Sequence, residues 1–304
     1  MRIGVDLGGT KIEVVVIDDA GTELLRHRIP TPRGTYEGIL DGLVGIVREA
    51  ESRLASLGHA GPHTVGAGIP GAISPRTGLA MNANSTEING RPLKQDLETA
   101  LQREIRLAND ANCLAVSEAV DGAAAGAKVV FAAILGTGCG AGVALDGAAW
   151  EGPHRIGGEW GHNPLPWPSP EELAMAETCW CGKPGCLETW VSGTGFQNDF
   201  HRLTGRSLKG REIIAAMEAG DTEAAASFDR YVSRLGRALA AMANILDPEV
   251  IVLGGGMSRI PQIYERLPAE IGRWVFSDHF RTPIRPALHG DSSGVRGAAW
   301  LWGR

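Results

Sequence analysis

Two stretches of this chain share one plan. Near the start, "RIGVDLGGTKIEVVVID" carries an apolar strand through Gly8 and Gly9 into a second, β-branched strand; later, "VVFAAILGTGCGAGVALDG" does the same through the turn from Gly136 to Gly140. Each reads as a hairpin on a glycine turn. Behind the first, Ile39, Leu40, Leu43, Val47, Ala50, Leu54 and Leu57 recur at three and four, which predicts an amphipathic helix from Tyr36 to Leu57. A short strand "TVGAGIPG" follows, then Leu93, Leu97 and Leu101 at helical spacing within 92–103. The strand "IRLAND" breaks at Asn109 and Asp110 into an Ala-rich helix, "ANCLAVSEAVDGAAAG". The second hairpin likewise leads into helices and a terminal strand, "VIVLGGG". Architecture repeated without repeated sequence predicts two related α/β halves facing each other. The boundary is expected near Asp121 to Gly126, and the proline-rich run 164–170 reads as a rigid excursion rather than a linker.

Composition narrows the classes. A length of 304 residues suits about two domains, and 43% hydrophobic with 21% charged residues is the balance of a globular protein. A net charge of -6 and the lack of any basic run argue against a nucleic-acid partner. No apolar run reaches the roughly 18 residues of a spanning helix, and no secretory segment opens the chain, so the expectation is a cytoplasmic protein with no membrane partner. Five cysteines, three of them in "CWCGKPGC", suggest a metal rather than a disulfide framework.

Four constellations carry chemistry. In "DLGGT", a glycine pair lets backbone N–H groups approach an anion; Asp6 would then hold Mg²⁺ through water while Thr10 and Lys11 meet phosphate oxygens. A tight hairpin with an exposed acid gives the same string. "LGTGCGAG" offers a second such turn, with Thr137 facing terminal phosphates, and Gly254, Gly255 and Gly256 follow a strand where flat backbone could pack on an adenosine. Asp110, at a strand–helix junction, suits an N-cap and equally a base that takes the proton of an attacking hydroxyl. Asn84, Asn109, Glu159 and Glu188 are suited to sugar hydroxyls. Cys179, Cys181 and Cys186, with His162 preferred to His154 or His201 as the fourth ligand, form a candidate closed structural zinc site; reduced loop thiols are the alternative.

"DLGGTK", "GIPG", "LANDANCLA", "GTGCGAG", "GEWGH", "CWCGKPGCLE" and "LGGGMS", in that order, resemble the ROK family of sugar kinases within the actin-like and hexokinase-like ATPase superfamily. The resemblance runs the whole length. The longer strings "NANST", "GEWGHNPLPW" and "HGDSSGVRGAAWLW" look like bacterial fructokinases of the manno(fructo)kinase type. One departure is "HRIGGE", where many family members have N-G-x-A-G-E, so His154 and Arg155 replace smaller groups.

The resemblance implies a two-domain α/β, ribonuclease H-like fold with a cleft between a small domain (1–120 plus 290–304) and a large one (121–289) that carries the zinc loop. The last helix, about Ser292 to Trp300, would return to the small domain. It implies that Asp110 is the general base, that Asn109, Glu159, His162 and Glu188 bind sugar hydroxyls, and that Gly71 and Asn84 line the sugar wall. Asp6, Gly8, Gly9, Thr10, Thr137 and Gly138 would face phosphates and Mg²⁺, with Lys11, Gly136 and Gly254 to Gly256 completing the ATP site. His162 would also ligate zinc with the three cysteines. The expected activity is transfer of the ATP γ-phosphate to the 6-hydroxyl of fructose, with mannose as a further acceptor and a homodimer as the assembly. The alternatives are a glucokinase, an N-acetylhexosamine kinase acting on N-acetylglucosamine or N-acetylmannosamine, and, further off, a sugar-responsive repressor or a non-catalytic sugar-binding module.

Overall fold

The computed structural model describes residues 1–303, and these fall into two compact units. The first comprises 1–128, 142–158 and the C-terminal residues from 288; the second comprises 129–141 and 159–287.

The first unit opens with β1 (Arg2–Leu7), β2 (Lys11–Ile17) and β3 (Glu23–Pro30), an antiparallel meander. There follow α1 (Tyr36–Ser56), β4 (Thr64–Ile69), the short pair β5 (Ala72–Ile73) and β6 (Ala80–Met81), α2 (Leu93–Leu101), β7 (Ile105–Asn109) and α3 (Asp110–Val120). The sheet order is β3-β2-β1-β4-β7, with β1, β4 and β7 parallel. Both faces are covered, so the strands read as continuous apolar runs rather than alternating ones. Alternation still sorts the side chains: Ile12, Val14 and Val16 join Ile39, Leu43, Val47 and Leu54 of α1 in one core, while Val15 and Ile17 join Val116 and Trp300 in the other. Glu13 shares the second face and is buried, its carboxylate met by Lys11 at 3.0 Å, Arg26 at 2.7 Å and Arg28 at 2.9 Å.

In the second unit and on return to the first come β8 (Val129–Leu135), β9 (Cys139–Leu145), β10 (Ala148–Ala149), α4 (Pro170–Ala174), α5 (Glu188–Val191), α6 (Gly193–Thr204) and α7 (Gly210–Glu218). Then follow α8 (Thr222–Leu246), β11 (Val250–Gly254), α9 (Pro261–Gly272), β12 (Ile284–Pro286) and α10 (Ser293–Trp300). A second five-stranded sheet has the order β10-β9-β8-β11-β12, and β9 is the strand along which the chain passes back into the first unit. Arg234 of α8, buried, pairs with Asp199 of α6 and with Glu172 of α4, both at 2.9 Å. A buried cation survives there because two carboxylates surround it. No helix among the described residues is long and apolar enough to cross a membrane.

The terminal helix α10 lies directly on backbone. A Cβ at Gly4 of β1 would strike Val295 and Ala299, and one at Gly66 of β4 would strike the Ala298 carbonyl. Upstream of α10, the buried Glu118 carboxylate accepts from the backbone N–H of Leu288 at 3.0 Å and the Ser293 hydroxyl at 2.8 Å, which binds the returning segment to α3. Gly66→Ala is therefore expected to lift α10 and cost about 3 kcal/mol, read as a lower urea midpoint at unchanged far-UV signal.

Candidate functional site

In the first unit the "DLGGT" turn closes with the Gly8 N–H donating to the Lys11 carbonyl at 3.0 Å. Thr31, which no motif marks, fixes it from the side: its hydroxyl donates to the Gly8 carbonyl at 2.7 Å and its N–H to the Thr10 carbonyl at 3.1 Å. Gly9 and Thr10 face solvent. The Lys11 ammonium is drawn back to Glu13, a partner that no motif indicates. Asp6, half-buried at the end of β1, stands against Gly68 and Gly294, where an added Cβ would come to 3.3 and 3.5 Å from its Oδ1. Burial, then the Asp110 and Glu13 carboxylates, push Asp6 up to about 7, with Lys11 opposing. A proton on Asp6 or a cation beside it relieves such a pair.

Asp110 does not cap α3; Asn109 does, its side chain accepting from the Ala111 N–H at 2.9 Å. Asp110 is the first helical residue, exposed, with Oδ1 accepting from the same N–H at 2.8 Å. Asn109 also donates through Nδ2 to the Gly71 carbonyl at 3.1 Å, so an expected hydroxyl ligand and a residue of the expected sugar wall are linked directly. Asn84 sits exposed on the loop after β6, following Ala83, whose backbone is held by Asn89.

In the second unit Gly136, Thr137 and Gly256 line one cavity of about 720 Å³, roughly the size of a nucleotide site. Gly138, Gly254 and Gly255 lie outside its lining. Gln197, Arg211, Met257, Arg259 and Pro261 complete the wall, drawn from α6, α7 and the segment into α9. Met257 belongs to the string "LGGGMS", but no local pattern marks the other four, because the segments that supply them are not joined by a motif.

The sugar-binding and metal candidates of this unit form one cluster. His162, Cys179, Cys181 and Cys186 place their ligand atoms within 4.8 Å of one another. His162 Nδ1 is 3.6 Å from Cys179 Sγ, and Cys181 Sγ is 3.5 Å from Cys186 Sγ. Tetrahedral bonds of about 2.3 Å would give edges of about 3.8 Å, so a zinc ion fits the set. Burial and the neighbouring thiols push Cys186 up to about 12, which leaves it a thiol until a cation draws the proton off. Glu188 Oε2 accepts from the Cys139 N–H at 3.0 Å, and a Cβ on Gly138 would stand 2.6 Å from that oxygen. The glycine turn and the Glu188 carboxylate thus require each other. Glu159 meets solvent, yet partial desolvation raises it above the usual carboxylate range, with His162 opposing and Glu188 adding.

A separate cavity of about 530 Å³ in the first unit lies along the free edge of β7 and contains none of the residues expected at the site. Arg155 of "HRIGGE" lines it, in left-handed backbone (φ 57°) and paired with Glu151.

The ROK family model matches residues 2–304. The chain is 39% identical over 304 residues to an N-acetyl-D-glucosamine kinase of Photobacterium profundum, covering 99% of both chains. It is 38% identical over 306 residues to the enzyme of that name from Pasteurella multocida, again over 99% of both. Among solved structures, a ROK hexokinase from Thermus thermophilus has a TM-score of 0.84 at 32% identity, covering 99% of this chain and 97% of that one. A ROK family glucokinase from Streptomyces griseus, in complex with glucose and AMPPNP, has a TM-score of 0.77 at 28% identity, covering 99% and 98%. The mixed α/β architecture is that of these hexokinase-like enzymes, and with its whole length matched the chain belongs to the ROK family, as a sugar kinase.

Proposed function

We propose that the protein is an ATP-dependent N-acetyl-D-glucosamine kinase. The observation that carries this reading is the 37–39% identity, over 99% of this chain, to several relatives of that name. The fructose preference expected from the longer strings gives way to the aminosugar alternative, which is the activity these relatives are named for.

In this reading Asp110 accepts the proton of the attacking sugar hydroxyl late in the transfer, while Asn109, held to Gly71, and Asn84 border the sugar. Glu159, His162 and Glu188 of the second unit bind its other hydroxyls, so the two units have to meet on one substrate, as the proposed small and large domains of a cleft. The cavity at Gly136, Thr137 and Gly256 takes the nucleotide, and the "DLGGT" turn takes phosphate oxygens. Mg²⁺ held by Asp6 through water would neutralise charge on the transferring phosphoryl group. What the protein adds beyond this is positioning, which matters most where the side chains do little covalent chemistry.

The test is ADP formation with Mg·ATP and N-acetylglucosamine, N-acetylmannosamine, glucose, mannose and fructose. N-acetylglucosamine is expected to give the highest kcat/KM; a higher value for fructose would restore the fructokinase reading. Zinc, in the proposed structural role, holds the loop that carries His162. Cys186→Ser is expected to lower bound zinc well below one ion per chain and to reduce kcat/KM by about 10²-fold through misplacement of the sugar ligands. Full activity in a zinc-free protein would remove the metal from the account.

A further inference from the structure

We infer that Trp180 is a positioning residue of the sugar site: its indole N–H holds the Glu188 carboxylate in the orientation that accepts a sugar hydroxyl. The inference rests on the kinase reading above. Trp180 stands between Cys179 and Cys181, so a metal held by these ligands would fix its backbone on both sides. Its Nε1 donates to Glu188 Oε1 at 2.7 Å, while the other oxygen, Oε2, accepts from the Cys139 N–H at 3.0 Å. Each carboxylate oxygen therefore has one N–H donor, which stops rotation of the group. Oε1 also has Cys179 Sγ at 3.8 Å; of the about four lone-pair sites of a carboxylate, at least one remains for a ligand. The ring also meets His162 edge-on, with centroids 4.9 Å apart and planes at 83°.

Burial does not account for the indole. Trp180 is 69% exposed, so most of its apolar surface gains nothing by folding. What holds it is one short, charge-assisted bond to a carboxylate and one contact with an imidazole. Both belong to groups expected on the sugar. The "CWC" string thus couples metal to substrate through a single side chain: the cysteines aim the backbone, the backbone aims the indole, and the indole fixes Glu188.

The experiment uses zinc-loaded full-length protein as wild type, Trp180→Phe, Trp180→Gln, Glu188→Gln and the Trp180→Phe/Glu188→Gln double variant. Bound zinc, melting temperature, calorimetric Kd for N-acetylglucosamine, and KM and kcat for both substrates are measured. Trp180→Phe is expected to keep its zinc and melting temperature, to raise the sugar Kd and KM about tenfold as a charge-assisted bond is lost, and to leave the KM for ATP unmoved. Trp180→Gln, whose amide can still donate, should fall between Phe and wild type. The double variant should bind sugar no worse than Glu188→Gln alone, because the indole acts through that carboxylate.

An unchanged sugar Kd in Trp180→Phe, or full additivity in the double variant, overturns the inference while the sugar site stands. Loss of zinc by Trp180→Phe also overturns it, making the indole a prop of the metal cluster. If Glu188→Gln leaves sugar affinity intact, or wild type binds no hexose, the kinase reading of this site fails and takes the inference with it.

Discussion

Asp110→Asn is expected to lower kcat by about 10²–10⁴-fold with N-acetylglucosamine and ATP, while the melting temperature holds or rises. The two outcomes have separate causes. Asp110 opens α3, and the oxygen that accepts the Ala111 N–H survives in the amide, as does the true cap on Asn109. Helix α3 and the Asn109 bond to Gly71 should therefore persist. What disappears is the only basic atom the proposal assigns to the attacking hydroxyl. Removing this negative charge also relieves Asp6, which Asp110 pushes upward, so stability has no reason to fall. Sugar affinity should stay within about threefold, since an amide still accepts a hydroxyl hydrogen bond. Turnover within tenfold of wild type would remove Asp110 as the base, and a collapse in melting temperature would recast it as structural.

Much of the frame is legible in the sequence because it rests on local signals. Apolar runs broken by glycine turns mark both hairpins, and the three-and-four spacing marks α1 and α2. The candidate metal cluster is legible for a similar reason: a short loop that holds three thiols with two glycines and a proline can fold them toward a common point. Other features depend on partners far along the chain. β3, "ELLRHRIP", is an edge strand whose charges answer a buried Glu13 on its neighbour, and no alternating apolar pattern of its own marks it as a strand. The Ala-rich run predicts a helix as far as Gly126, yet α3 stops at Val120. There the Glu118 carboxylate accepts from the Ala123 N–H, and Asp121 is taken by Arg296 and Trp300, about 175 positions later. Trp180 carries no signal of its own, because its partner, Glu188, lies outside the string of metal ligands that surrounds it.

Asp6→Asn should make the metal-free protein more stable at pH 8 and inactive at every pH. Asp6 is raised to about 7 in the fold from an ordinary 3.8, so between about pH 4 and 7 the native state holds a proton that the unfolded chain has released. Stability falls with rising pH across that window, and the full penalty stands above 7. A carboxylate sealed from water would lose about 4 kcal/mol by such a shift; Asp6 keeps partial solvent contact, and about 2 kcal/mol is the expected gain for the amide at pH 8. The gain should shrink towards zero as the pH approaches 4. The same carboxylate becomes an asset once Mg²⁺ and nucleotide are present, because a nearby dication favours the ionised form. Mg·ATP should therefore raise the melting temperature of wild type more at pH 8 than at pH 6 and do little for Asp6→Asn. Melting curves from pH 5 to 8, with and without Mg·ATP, decide the matter: parallel pH profiles for the two proteins would mean that Asp6 is ionised throughout and that the penalty does not exist.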